Sequence, residues 1–470
     1  MRNFFKKAIA LILGVTMSGA VMVSMVGCGN KDDGSLPTDK FNITIAIPDT
    51  ESESEMMKIW KNAYEKKNLD VNVNYTTFSG ESTEDYINRT ASADRSRLPM
   101  MVWVSDSEAE YLSSINNFTD LRKFYESDSS TDYTNFYASM LNIASYSGEF
   151  KPTTSYTGAY QGDKSDDEEY GIWFAPRDYN KIAIVINKDI FNELGVAIPA
   201  DDDTWNWEKL VATVQSLSQK IAAGGISTSS MSAIRLCLFW EPVYTTLFKT
   251  FGGEGVLAEN NGEVTSVLDS GKNKEMYYKL YNEFVKIDKA LDKEDSFAKN
   301  LTAMSVISRP KVLDYVDRVD NFDFLSFPTE SVGAGCSGYA IIADHAEETQ
   351  TIGGQTKKNE DLCWDFIKFI ISEEGQELGG ETGFIQPILK SLAENGAWTK
   401  AINSSLNHAA FTKGDELALD LYTSIEARKR TGVRNQVKSF FTQVTKAKST
   451  SDIDNECRSY KNNIISLLNR

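Results

Sequence analysis

The stretch that most limits how this chain can fold is Tyr170–Gly195, YGIWFAPRDYNKIAIVINKDIFNELG. Two apolar runs, Gly171–Ala175 and Ile182–Ile186, flank a short polar break, Pro176-Arg177-Asp178-Tyr179-Asn180-Lys181, and the second run enters a helix near Lys188. Each run has the length and the Ile, Val, Phe and Trp content of a buried strand with little alternation, as in a parallel sheet covered on both faces. Arg177 and Asp178 cannot be buried unpaired, so a charged kink between two buried strands needs a reason. One reason is that the chain leaves one domain here and enters another, with the kink lining the gap. A polar loop joining two elements of one domain accounts for the same polarity.

The first 27 residues read as a targeting segment that takes no part in the fold. Arg2, Lys6 and Lys7 precede an apolar stretch, Ala8 to Val26, that ends in Met25-Val26-Gly27-Cys28. This junction resembles a bacterial lipobox, with Met25 in place of the usual Leu or Val. It implies diacylglyceryl attachment to Cys28 as the new N-terminus, and two acyl chains anchor a protein stably where one is marginal. A transmembrane anchor and an ordinary signal peptide are the alternatives. Residues 28–40 then form a flexible tether.

The remaining roughly 440 residues are too many for one core and suit two domains. A net charge of −18 argues against nucleic acid, where basic stripes supply most of the affinity. Cys237, Cys336, Cys363 and Cys457 contain no Cys-x-x-Cys pair and read mostly as buried thiols, although an exported location permits a disulfide. With only two histidines, His345 and His408, a multi-histidine zinc centre is excluded and a His-dependent triad has little to work with. No cofactor is expected.

Along the chain, Phe41–Pro48, Val71–Phe78 and Pro99–Val104 read as strands separated by helices over about Ser52–Lys67 and Asp85–Ser96. Met56, Ile59/Trp60 and Ala63 give the first helix its apolar stripe. This β-α-β-α-β order implies an open parallel sheet whose ligands lie outside the carboxyl ends of the strands. Asp49, Trp103 and Asp106 sit at or just past such ends, although Trp103 fits a core position equally well. Lys151 to Glu169 is a polar excursion. Its Asp163, Ser165 and Asp167 have the spacing of the first calcium ligands of an EF-hand, but Glu168 replaces the turn glycine and Phe174 the closing glutamate, so a solvated loop is the better reading. Asn206 is placed to cap a helix running to Ala222. Leu301–Ile307 and Phe322–Phe327 are further strands, and Leu362–Ile371 is a strongly apolar helix.

Taken together, these pieces resemble the extracellular solute-binding proteins of ABC importers, family 1, the group that includes maltose-binding protein. The matching segments are the lipobox, Leu98-Pro99-Met100-Met101-Val102-Trp103, and Tyr170-Gly171-Ile172 through Asn187-Lys188-Asp189-Ile190-Phe191. Further matches are Thr204-Trp205-Asn206-Trp207-Glu208, Thr302-Ala303-Met304, Gly335-Cys336-Ser337-Gly338-Tyr339, and Phe366 to Ile370 with Ser372-Glu373-Glu374-Gly375-Gln376. The resemblance implies an α/β fold of two Rossmann-like lobes, joined by a multi-strand hinge, with the ligand in the cleft between them (a type II periplasmic-binding-protein-like architecture). Carried onto this chain, lobe one is 41–178 plus 300–343 and lobe two is 179–299 plus 344–470.

The same resemblance implies where a solute would touch. Trp103 and Asp106 match an aromatic and a carboxylate after the third strand, Trp240, Glu241, Pro242 and Tyr244 a Glu-Pro-aromatic segment, and Gly338 and Tyr339 a late Gly-x-aromatic segment. Arg177, Asp178 and Tyr179 fall on the hinge. Where some members carry Trp after the Thr-Ala-Met strand, this chain has Arg309-Pro310-Lys311. The implied function is a non-catalytic, lipid-anchored, monomeric receptor on the outer face of the bacterial cytoplasmic membrane. It would hold a mono- or oligosaccharide and pass it to a membrane permease, because sugars offer C–H faces to aromatic rings and hydroxyls to carboxylates. A receptor for a polyamine, peptide or phosphorylated compound remains open, because one fold hosts many ligands. So does a surface glycosidase built on two carboxylates.

Overall fold

The computed structural model describes residues 36–470 except 107, 110–111, 113–117, 145–171, 225–229, 317, 400–401, 418–420, 423–424 and 426. The leader, Cys28, most of the tether and the polar excursion with Asp163, Ser165 and Asp167 lie outside the described residues. The chain runs first through β1 (Phe41–Pro48), β2 (Val71–Phe78), β3 (Met101–Ser105) and β4 (Ala175–Pro176). It crosses by β5 (Asn180–Lys181) into β6 (Ala183–Asn187) and β7 (Ser232–Arg235), a hairpin of β8 (Leu257–Asn260) and β9 (Glu263–Ser266), then β10 (Thr302–Ile307) and β11 (Phe322–Ser326). It returns by β12 (Ser331–Val332) and β13 (Ala334–Gly335) into β14 (Ser337–Ile341). A second hairpin, β15 (Thr349–Ile352) and β16 (Gln355–Lys358), and a short β17 (Asp415–Glu416) follow.

Two sheets result. The first has the order β2-β1-β3-β14-β4, with β1, β2 and β3 parallel and β14 antiparallel to both neighbours. Its connecting helices start where the sequence provides caps. The Thr50 side chain accepts from Glu53 N ahead of the helix Glu51–Lys67, and Ser82 accepts from Asp85 N ahead of Thr83–Asp94. The first helix buries Met56, Met57, Trp60 and Tyr64, so its stripe is rotated slightly from the expected one and Tyr64 replaces Ala63. Trp60 Nε1 donates to Gly375 O at 2.7 Å, which ties this helix to the start of the helix Glu373–Glu381.

The second sheet has the order β11-β6-β10-β7. Every residue of β6 is buried, which is why its sequence shows no alternation. Its two faces still differ: Ile184 and Ile186 enter one core with Trp207, Leu210 and Tyr244, while Ala183 and Val185 enter another with Trp398 and Phe411. Asn206 caps the helix Trp207–Ala222 as its sequence indicates.

Here the expected partition of the chain is corrected. Segment 302–326 belongs with β6, not with the first sheet: Met304 faces Ile186 and Phe324 faces Val185. Conversely, the helix Asn359–Ile371 packs Leu362, Phe366 and Ile370 into the core of the first sheet. The reason is where the chain crosses. The return crossing is β12–β13, some thirty residues later than expected. A third passage lies between the helix Glu373–Glu381 and Trp398, whose ring packs on the second sheet. Cys237, Cys336, Cys363 and Cys457 are all free thiols. Among the described residues no helix is long and apolar enough to cross a membrane.

Candidate functional site

Both sheets present the same kind of edge to the crossings. In the first sheet β1, β2 and β3 end at the same edge, where Ser105 of β3 pairs with Ser337 at the start of β14. In the second, Ile307 at the end of β10 faces Ala183 at the start of β6, and β7 runs parallel to β10. Ligands of open α/β sheets lie outside such ends. Between them β5 and β13 pair antiparallel, Lys181 with Ala334 and Asn180 with Gly335.

The polar break of the sequence is a buried knot at this point. Arg177 is 2% exposed; it donates to both oxygens of Glu53, to the Tyr339 hydroxyl at 3.2 Å and to Ser337 Oγ at 3.2 Å, and lies 3.4 Å from Asp178. Asp178 in turn accepts from Ser337 N and Oγ, both at 2.7 Å. Burial pushes the Asp178 carboxyl up, against the pull of Arg177 and Ser337. Burial likewise works against the Arg177 cation, but Glu53 holds it charged. Arg177 carbonyl oxygen accepts from Gln376 Nε2 at 2.9 Å, so the knot also holds the helix Glu373–Glu381.

This arrangement changes the role of five residues expected to meet a solute. Arg177 and Asp178 spend their polar groups on the fold. Tyr179 is fully buried and stacks on Tyr137 with ring centroids 3.9 Å apart. Tyr339 packs edge-on against Trp60, and Tyr244 bonds the Tyr422 hydroxyl at 2.9 Å and stacks on Phe441. Gly338 serves packing as well, since a Cβ there would lie 2.0 Å from Ala175 O. Each of these aromatics matches its motif, but its ring points into a core.

The other four, Trp103, Asp106, Trp240 and Glu241, are only partly buried. Trp103 lies on β3, with Asp106 just past its end, and Trp240 is the N-cap of the helix Glu241–Thr250. The return crossing runs between Asp106 and Pro242, the residue after Glu241. Asp106 Oδ2 accepts from Cys336 N at 3.4 Å, and a Cβ at Gly335 would sit 3.7 Å from that oxygen and 4.0 Å from Pro242 Cγ. Gly333 N donates to Thr246 Oγ1 at 2.8 Å, and a Cβ at Gly333 would lie 2.3 Å from Pro242 O, so only glycine fits. Glu241 pairs with Arg434 at 3.2 Å. Residues 333–336 thus touch Asp106 beside the first sheet and Pro242 and Thr246 of the helix Glu241–Thr250 beside the second.

Sequence reasoning missed Glu53, Gly333, Thr246 and Arg434. For Glu53 a signal existed: Thr50-Glu51-Ser52-Glu53 is a capping-box pattern, but its glutamate turns to Arg177 instead of back to Thr50. Among the described residues no three His, Cys, Asp or Glu side chains form a metal site.

The model of the bacterial extracellular solute-binding proteins matches residues 60–404, well over half of the chain. The chain belongs to that family. An extracellular or periplasmic location goes with membership. No curated protein sequence matches. Among solved structures, the ABC substrate-binding protein Lmo0181 of Listeria monocytogenes, in complex with cycloalternan, is 15% identical with a TM-score of 0.68, over 91% of this chain and 99% of that one. UgpB of Mycobacterium tuberculosis, in complex with glycerophosphocholine, is 14% identical with a TM-score of 0.65, over 93% and 99%. The cyclic alpha-maltosyl-1,6-maltose binding protein of Arthrobacter globiformis is 12% identical with a TM-score of 0.64, over 91% and 99%. At such identities the likeness speaks for the fold of this solute-binding protein, that of the type II binding proteins with two α/β lobes.

The knot yields a prediction for stability. Glu53→Gln leaves the Arg177 charge without its main partner, and breaking a buried pair costs about 3–5 kcal/mol. Urea unfolding should show a loss near the lower end, because Asp178 stays 3.4 Å away; a loss under about 1 kcal/mol would mean that the knot contributes little.

Proposed function

We propose that this protein is a non-catalytic, monomeric receptor of an ABC importer that binds an uncharged carbohydrate between two lobes and delivers it to a membrane permease. One lobe is built on β1–β4 and β14, the other on β6, β7, β10 and β11. The observation that carries the reading is that residues 333–336 touch Asp106 on one side and Pro242, which follows Trp240 and Glu241, on the other. Trp103 and Trp240 would offer ring faces to a sugar, and Asp106 and Glu241 would accept from its hydroxyls. The cycloalternan complex of the Listeria protein and the cyclic alpha-maltosyl-1,6-maltose binding protein of Arthrobacter support this choice of ligand class.

Charge narrows the solute further. Helix N-termini are natural anion sites, but those after β1 and β2 are already capped by Thr50 and Ser82 and carry Glu51, Glu53, Glu84 and Asp85 in their first turns. Burial pushes the Glu84 carboxyl up, and the neighbouring Asp85 and Glu108 carboxylates add to the rise. Three described cations nearby are committed to carboxylates, Arg177 to Glu53, Arg89 to Glu81 and Arg434 to Glu241, and the buried Lys181 and Arg309 are held by backbone carbonyls and His408. A phosphorylated solute would meet mostly carboxylates, whereas a neutral sugar would meet hydrogen-bond acceptors.

The lipid anchor at Cys28 belongs to the same proposal, supported by the charged start, apolar run and Gly27-Cys28 junction. Cys28→Ala should release the protein from the membrane fraction or stall its processing. Unchanged fractionation and migration would remove the anchor from the account.

For the solute, thermal melting with cycloalternan, maltotriose, spermidine, glycerophosphocholine and maltose phosphate separates the readings, since a ligand held only by the folded state raises Tm. A neutral sugar should raise Tm most and the phosphate least. In calorimetric titration Trp103→Ala and Trp240→Ala should bind that sugar roughly ten- to a hundredfold more weakly, a loss of about 1–3 kcal/mol. Wild-type affinity with a strongly lowered Tm would place both rings in the core, and a shift with spermidine alone would replace the sugar by a polyamine.

A further inference from the structure

Arg309 is a second buried cation, and it is held quite differently from Arg177. It is fully buried just past β10, and among the described residues no carboxylate pairs with it. Its guanidinium lies 4.6 Å from the Trp398 ring centroid and 5.8 Å from that of Phe411. Its Nε donates to Gly383 O at 3.0 Å, and Nη1 lies 2.9 Å from His408 Nδ1. These partners span the two sheets. Gly383 follows the helix Glu373–Glu381 and leads to Ile385 and Ile388 in the first core, whereas Trp398, His408 and Phe411 pack against the second sheet. A Cβ at Gly380 would lie 2.7 Å from Trp398 Cβ, so the two sides are in close contact here. Arg309 is therefore a pin through the third passage of the chain.

Chemistry dictates the state of His408. A guanidinium only donates, so Nδ1 must accept. The Asn403 carbonyl, 2.9 Å from Nε2, only accepts, so the proton sits on Nε2 and the ring is neutral. Protonation would place an N–H against an N–H and a cation against a cation, with no carboxylate bonded to the ring. Of the other charged groups around the ring, Asp323 on β11 accepts from Asn407 N at 2.8 Å and is shared with Lys188, and Asp201 accepts from Asn407 Nδ2 and Lys413. Neither carboxylate bonds the imidazole. Trp398 and Phe324 complete its surroundings.

We propose that the Arg309–His408 contact is an acid-released pin, which holds the two sides of the molecule together at neutral pH and lets go when His408 takes a proton. Burial and Arg309 keep His408 below the ordinary histidine range against the upward pull of the Asn403 carbonyl and Asp323, so a loosened joint binds the proton more readily than a closed one. The sign follows from linkage: above about pH 6.5 both states are neutral and pH has no effect. Below it the loosened state gains population, by up to about tenfold per pH unit, until the closed state titrates as well. Relative movement of the two lobes, and with it the solute-binding equilibrium, thereby becomes pH-dependent through one residue.

The test uses the ligand-free chain, so it does not depend on the solute. Nitrogen-detected NMR of the imidazoles, with His345→Gln for assignment, should find His408 with its proton on Nε2 and a titration below the ordinary histidine range. Hydrogen exchange between about pH 7.5 and 4.5, corrected for intrinsic rates, should rise at 309–316, 379–388 and 398–411 well ahead of the strands of either sheet. In His408→Asn, whose amide oxygen can still accept from Arg309, that extra rise should vanish. A proton on Nδ1, an ordinary titration, or exchange at these segments that merely follows the strands would overturn the proposal. The wild-type measurements decide even if the variant does not fold.

Discussion

A guanidinium that is 2% exposed must find its partners inside the protein or cost several kcal/mol; Arg177 finds them on two separate pieces of chain, and a third holds its backbone. Glu53 comes from the first turn of the helix after β1, Ser337 and Tyr339 from β14, and Gln376 reaches the Arg177 carbonyl from the helix Glu373–Glu381. Removing any one of these loosens the place where the chain first leaves its sheet. Such a knot gives the crossing a fixed anchor on the first sheet, while the strands just beyond it, β5 and β13, are two residues long each and pair only with one another. A rigid root followed by a thin connection is what a hinge needs.

The walls of the candidate cleft stand on β3 and the helix Glu241–Thr250, on either side of that thin connection. Gly333 presses its backbone against Pro242, Thr246 holds it by a hydrogen bond, and two residues later Cys336 bonds Asp106. Rotation about residues 333–336 would therefore move the Trp240–Glu241 turn relative to Asp106 directly, without a relay through either core. A solute bonded to both would favour one angle over others, and its binding energy would appear as a shift in the population of closed molecules.

Much of the architecture was legible because its signals are local. The uniform burial of β6 was written in its unbroken apolar run, and caps such as Asn206 stood at the right distance before their helices. The partition between sheets was not legible. Strand β10 has no sequence mark that says whether it pairs with β6 or with β3; non-local pairing decides. The site was legible as motifs but not as side-chain directions. Trp103 and Tyr339 face each other in register on neighbouring strands, yet Tyr339 is buried against Trp60 while Trp103 keeps an exposed part. Arg177 read correctly as a charge that needs partners; that those partners would come from the fold and not from a ligand depends on Glu53, more than a hundred residues earlier.

Closure about the crossings is the claim on which the functional account turns, and small-angle scattering across a titration with the best-bound sugar tests it most directly. The account predicts a radius of gyration that falls as the sugar saturates the protein, with a midpoint equal to the calorimetric one. An unchanged radius at saturation would contradict it and mean that the solute binds a rigid site.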